Sequence, residues 1–218
     1  IYDHHYNDEV QGLSGNDLGL IEHLLRAGLK VTLVGDCRQA TYSTNDSGKN
    51  SAYSGPNIIK KFKEWETQEL IEIQPQAVSY RCVQLICDFA DQLYPDYDKT
   101  TSLNEIQTEH DGLFAVRSSD VRSYRDQYSP QPLRFSRATR GIEGNPMNFG
   151  AVKGMTFDRV LIYPLGPLKR YLETGSVSEI AMSLAKTYVA ITRARQSVAF
   201  VVPDKTKSLV VPFYEVDR

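Results

Sequence analysis

Short apolar, β-branched runs alternate with helix-patterned segments along most of this chain, and that alternation restricts the fold more than any other feature. Val31 to Gly35, Leu70 to Ile73, Leu113 to Val116, Leu133 to Phe135, Arg159 to Tyr163 and Ser197 to Val202 read as strands. Between them, apolar residues recur with helical spacing. Asn16 can cap a helix through about Ala27 that carries Leu18, Ile21, Leu24 and Leu25 on one face, with Gly28 past its end. Pro56 starts a helix carrying Ile58, Ile59, Phe62 and Trp65. Val83 to Leu93 is another, Ser119 can cap a short polar one, and Pro167 to Glu173 and Ile180 to Ala194 complete the set. Strands separated by helices are too far apart in sequence for hairpins. They call for crossover connections, hence an α/β fold with a largely parallel sheet and flanking helices. Thr41 to Gly55 and Pro95 to Asp111 are polar and read as loops.

With 218 residues, one large domain or two small ones can bury a core. No apolar run is long enough to span a bilayer. A net charge of −2 argues against a broad phosphate-coating surface but leaves room for a narrow strand-binding groove. Cys37, Cys82 and Cys87 have neither zinc-like nor disulfide-framework spacing, so reduced thiols in a cytoplasmic protein are expected. His4 and His5 are adjacent on an extended segment and would point to opposite faces, which disfavours a shared metal.

Five short strings carry chemistry. Asp8-Glu9-Val10-Gln11 places two carboxylates where one could hold a metal and the next could polarise a water. Gly35-Asp36-Cys37-Arg38-Gln39 follows a strand and is trailed by Tyr42, an aromatic able to stack on a base. Ser79-Tyr80-Arg81-Cys82 precedes a helix. Gly150 to Asp158 contains Lys153-Gly154 and Phe157-Asp158. Tyr188-Val189-Ala190-Ile191-Thr192-Arg193-Ala194-Arg195 sets two planar cations near the end of the last helix, where they could reach a phosphate.

Taken in order, these strings resemble the UvrD/Rep-type helicases of superfamily one, ATP-driven motors that translocate on single-stranded DNA. The resemblance implies RecA-like domains of the P-loop NTPase type. The end of the first would occupy residues 1–66 and the second 67–218, with a reduced insert at about 95–146. It further implies that Asp8 holds Mg²⁺, that Glu9 is the catalytic base, and that Gln11 and Gln39 sense the γ-phosphate of ATP. Arg81 and Arg193 would be arginine fingers. Tyr42 would stack on DNA, and Lys153 with the Gly154 backbone would touch nucleic-acid or nucleotide phosphate. Arg195 is expected to be a structural or ion-pairing residue. Gly150 and Thr156 stand where the family usually has histidine and glutamate. No GxxxxGK followed by Ser or Thr occurs in the chain. The phosphate cradle is therefore expected in an N-terminal segment outside these residues, and these residues alone are expected to be inactive. The expected whole is an ATP-dependent DNA helicase moving 3′ to 5′ on single-stranded or partly duplex DNA. The alternative is a non-catalytic helicase-like module that binds DNA or protein.

Overall fold

A computed structural model describes residues 3–42, 49–207 and 209–215. The chain divides into two units, Ile1–Gln76 and Ala77–Arg218. No helix among the described residues is long and apolar enough to cross a membrane.

In the first unit, strands β1 (His4–Asn7) and β2 (Lys30–Leu33) pair in parallel, His4 opposite Lys30 and Asn7 opposite Leu33. Helix α1 (Asn16–Arg26) is the crossover and buries Leu18 and Ile21. It begins one residue earlier than a capping Asn16 would give, since Gly15 occupies the cap position. Its end is well determined: the Gly28 N–H donates to the Leu25 carbonyl and the Leu29 N–H to that of Leu24, with Gly28 at φ 75°. Those two bonds make a Schellman motif, which needs a left-handed residue after the cap. Helix α2 (Ile58–Thr67) buries Ile58, Phe62 and Trp65. Lys61 on its buried side is 3.0 Å from both Glu22 and Glu64 and ties α2 to α1. Hydrogen bonds from Arg26 and then Lys61 hold the Glu22 carboxyl down at about 2.

Leu70 to Ile73, expected as a strand, is irregular. Two of its four amides are committed to the end of α2: the Leu70 N–H donates to the Trp65 carbonyl and the Ile73 N–H to the Glu66 carboxylate. Donors taken locally are lost to a ladder.

The second unit holds strands β3 (Val78–Ser79), β4 (Thr101–Ser102), β5 (Gly112–Arg117), β6 (Gln131–Arg134), β7 (Met147–Asn148), β8 (Phe157–Tyr163) and β9 (Ala194–Val202). Its helices are α3 (Gln84–Asp91), α4 (Val121–Tyr128), α5 (Gly166–Thr174) and α6 (Leu184–Ile191). A small β3–β4 pair stands apart from a five-stranded sheet ordered β5-β9-β8-β6-β7, parallel throughout. Residues 95–146 supply β4, β5, α4 and β6, so part of that stretch belongs to the sheet.

The sheet is covered on both faces, and the pleat divides its side chains between two cores. Ala115, Leu133, Val160, Ile162, Val198 and Phe200 face the core built with Ile86, Phe89, Tyr171, Leu172, Tyr188 and Ile191. The alternate residues Val116, Leu161 and Ala199 pack with Tyr124 of α4. Two-sided burial explains why β8 and β9 read as continuous apolar runs rather than alternating ones. The α/β fold with a parallel sheet and flanking helices, expected from the alternation, is the one observed.

The last expected helix is shorter than its periodicity. Val177–Ser183 is 3₁₀, α6 ends at Ile191, and β9 has already started at Ala194. The carbonyls of Arg193 and Arg195 accept the N–H groups of Phe157 and Val83. These long-range bonds draw the segment into the sheet, so neither arginine lies on the helix.

Candidate nucleotide and nucleic-acid site residues

In the first unit, Asp8-Glu9-Val10-Gln11 leaves the carboxyl end of β1, and Gly35 to Gln39 leaves the carboxyl end of β2. Parallel pairing brings the two turns together at the edge where open α/β sheets bind ligands. The ladder continues past the strands, with the Val34 N–H donating to Asn7 at 2.9 Å and the Val10 N–H to Val34 at 3.1 Å. Asp8 and Glu9 are exposed, and the Asp8 carboxylate accepts the Glu9 N–H at 2.7 Å. Glu9 adopts φ 57°, ψ 36°. A left-handed glutamate is uncommon and costs roughly 1–2 kcal/mol, so the surrounding turn must impose it.

Gln11 is the joint between the two strings. It is 1% exposed, its amide donates to the Glu9 carboxylate, and its Oε1 accepts the Asp36 N–H at 3.2 Å. Asp36 in turn accepts from the Arg38 N–H and Nε, at 3.0 and 2.9 Å, and from the Gln39 amide at 3.0 Å. Asp8, Glu9, Gln11 and Gln39 thus belong to one connected patch. Tyr42, just beyond it, is 58% exposed.

Gly35 has to be glycine for this joint to form. A Cβ there would lie 2.3 Å from the Gln11 Oε1 and 3.0 Å from the Val10 nitrogen. Gly35→Ala is expected to lower stability by about 1–3 kcal/mol, as overpacking of a filled site does. Urea unfolding of the variant checks this; an unchanged midpoint would show that Gln11 swings away at no cost.

In the second unit, three strings are laced around Arg81. Its Nε donates to the Thr156 hydroxyl at 2.9 Å and its Nη1 to the Thr192 carbonyl at 3.1 Å. The Ser79 hydroxyl accepts the Arg81 and Cys82 N–H groups at 3.3 and 3.1 Å. The Asn104 amide donates to the carbonyls of Arg81 and Arg195, at 2.7 and 3.3 Å. Arg193 is 2% exposed and donates to the Thr192 hydroxyl at 3.4 Å. Arg195 forms the expected ion pair, 3.0 Å from Asp158.

Lys153 and Gly154 make a tight turn. The Met155 N–H donates to the Val152 carbonyl at 2.9 Å, Lys153 has φ −57°, ψ 133°, and Gly154 has φ 82°. These are type II turn values, which demand glycine at the second central position. Nothing lies within 4 Å of the place a Gly154 Cβ would occupy, so this backbone is open on that side.

Ser79 and Thr192 lie within the strings without an expected role of their own, Thr156 stands at a departure from the resembled motif, and Asn104 lies in none of the strings. Thr156 had a signal, since it replaces the glutamate usual in the resembled motif, and the shorter hydroxyl there bonds Arg81. Asn104 had none: it lies in a polar connection, and only the chain path reveals its two carbonyl partners.

No protein-family model and no curated protein matches the sequence. Solved structures do match. The chain is similar to the PRRSV helicase, with 20% identity and a TM-score of 0.55 over 97% of this chain and 38% of that one. It is also similar to arterivirus nonstructural protein 10, a helicase, with 18% identity and a TM-score of 0.52 over 92% of this chain and 39% of that one. A structure of that helicase in complex with DNA matches at 18% identity and a TM-score of 0.52, over 92% of this chain and 40% of the other. The chain therefore spans about two fifths of the length of these helicases. At such identities the likeness is one of fold.

Proposed function

We propose that these residues belong to an ATP-dependent DNA helicase or translocase of the UvrD/Rep type, cytoplasmic and stepping 3′ to 5′ on single-stranded DNA. The observation that carries this reading is Gln11, which joins the acidic string to Gly35–Gln39 at the carboxyl edge of β1 and β2. A coupling residue must feel both a phosphate and the segment that leads to DNA, and Gln39 and Tyr42 follow directly on that segment. Likeness of fold to helicases, one of them solved with DNA, supports the same reading.

In it, Asp8 holds Mg²⁺ and Glu9 orients and deprotonates the attacking water. Both are exposed carboxylates at a strand edge, and hard oxygen donors of this kind suit Mg²⁺. The metal neutralises phosphate charge when bound. Gln11 and Gln39 face the γ-phosphate. Arg81 and Arg193 stabilise the charge that develops on it. Tyr42 stacks on a base, and Lys153 with the Gly154 backbone meets phosphate at a turn whose glycine leaves room.

Turnover needs a P-loop, which these 218 residues do not contain. Residues 1–218 alone are expected to show no DNA-stimulated ATP hydrolysis, and the chain joined to its own P-loop-bearing segment to show it strongly. Robust turnover by residues 1–218 would overturn this reading. Strand binding with no turnover in the joined protein would favour the non-catalytic module.

A further inference from the structure

The backbone of Ser79 to Cys82 is held by a segment that lies outside all five strings. In β4 and the connection after it, the Leu103 N–H donates to the Ser79 carbonyl at 2.8 Å, and the Ser102 hydroxyl donates to the Cys82 carbonyl at 2.7 Å. From the same segment, the Asn104 amide donates to the Arg81 carbonyl at 2.7 Å and to the Arg195 carbonyl at 3.3 Å.

Asn104 differs from its neighbours because it reaches two strings at once. Its own place is fixed from both sides: its N–H donates to the Ser102 hydroxyl at 3.1 Å, and its Oδ1 accepts the Ile106 N–H at 3.0 Å. The Ile106 N–H can only donate, so it takes the side-chain oxygen and leaves the nitrogen, with its two hydrogens, facing two carbonyls. Carbonyl oxygens only accept. An aspartate of the same shape would therefore set an oxygen against two oxygens.

The Arg81 guanidinium is held separately, by the Thr156 hydroxyl and the Thr192 carbonyl. Thr192 and Arg195 lie on either side of Arg193 in sequence. The Arg195 carbonyl also accepts the Val83 N–H at 2.9 Å. Arg81 is thus tied at its head and at its main chain to the segment that carries Arg193.

We infer that Asn104 is a positioning residue, which fixes Arg81 against the Arg193 segment so that both guanidiniums are presented at a set spacing. The inference rests on the motor reading above, and adds to it a residue from the stretch expected as a reduced insert. Displacing a catalytic group by about 1 Å can cost on the order of 10²-fold in rate. Asn104 is half-buried, so water can reach the carbonyls it would leave, and its removal acts on geometry more than on stability.

The test uses the chain joined to its P-loop-bearing segment, with ATP and single-stranded DNA. Asn104→Asp should lower kcat about ten- to a hundredfold, while nucleotide affinity changes less than about twofold. A double-mutant cycle, scored by single-turnover hydrolysis, separates positioning from a general structural role. In the Arg81→Ala background, adding Asn104→Asp should cost less than about twofold, because nothing is left to position. An equal loss in both backgrounds overturns the inference, as does normal turnover in Asn104→Asp. Asn104→Ala removes the contact without adding a charge. It should melt within about 4 °C of the parent and still lose turnover; a loss of turnover that merely follows a lowered melting temperature overturns the inference. Deficient Arg81→Ala beside normal Asn104→Asp would leave the motor reading standing and remove Asn104 alone. Normal turnover in Arg81→Ala would overturn both the finger assignment and the inference built on it.

Discussion

Replacing Arg81 or Arg193 by alanine is expected to cut ATP turnover by about 10³-fold or more in a protein that carries the P-loop, the scale on which arginine fingers act. Nucleotide affinity should fall far less, because a finger acts on charge that appears in the transition state. The two positions differ in surroundings. Arg81 is oriented by Thr156 and the Thr192 carbonyl, so its guanidinium is already positioned. Thr156→Ala should therefore reproduce part of the Arg81→Ala loss without removing the charge. Arg193 is buried, and its removal also leaves space in the fold. Arg193→Lys separates the two effects, since it fills most of the volume and keeps the charge but not the planar fork. Steady-state turnover, nucleotide affinity and thermal melting of each variant distinguish catalysis from packing. Normal turnover after either alanine substitution would remove that arginine from the site.

The parts of the molecule that were legible in the sequence are those set by local chemistry. Helix α1 was readable because its apolar spacing, its following Gly28 and its Schellman ending all lie within a dozen or so residues. Strands β8 and β9 were readable because burial on both faces leaves an uninterrupted apolar run. What escaped was decided by distant partners. Leu70 to Ile73 has strand composition, yet its first and last amides bond back to α2. The segment from Thr192 to Arg195 has helical spacing, yet its carbonyls serve Phe157 and Val83. The site followed the same rule. Asp8, Glu9, Gln11 and Gln39 were named from their strings, but the bond by which Gln11 joins those strings depends on parallel pairing of β1 and β2.

Acid should loosen the second unit well before its carboxylates titrate, because of His110. Its ring stacks on Phe114 and Tyr128, meets Tyr124 and Tyr214 edge-on, and its Nε2 is 2.8 Å from the Tyr124 hydroxyl. Burial, and then the nearby charge of Arg159, push its pKa down to about 4, while Asp111 opposes them weakly. In the unfolded chain the same ring titrates near 6.5. The folded state therefore keeps His110 neutral between those values while the unfolded state takes up a proton, and the difference favours unfolding as pH falls. The contribution is complete above pH 6.5 and drains away toward pH 4. It amounts to about 2 kcal/mol lost by pH 5 and about 3 kcal/mol by pH 4. Glu22 acts in the same direction, but its window runs from 4.5 down to about 2, so it barely contributes at pH 5. His110→Gln keeps a polar partner for Tyr124 and removes the titration. Urea unfolding at pH 7 and pH 5, followed by near-ultraviolet circular dichroism, should show the variant weaker at pH 7 but losing about 2 kcal/mol less than the parent on acidification. Equal losses in the two proteins would show that His110 titrates alike in the folded and unfolded chain, and the aromatic cluster would then have no hold on its proton.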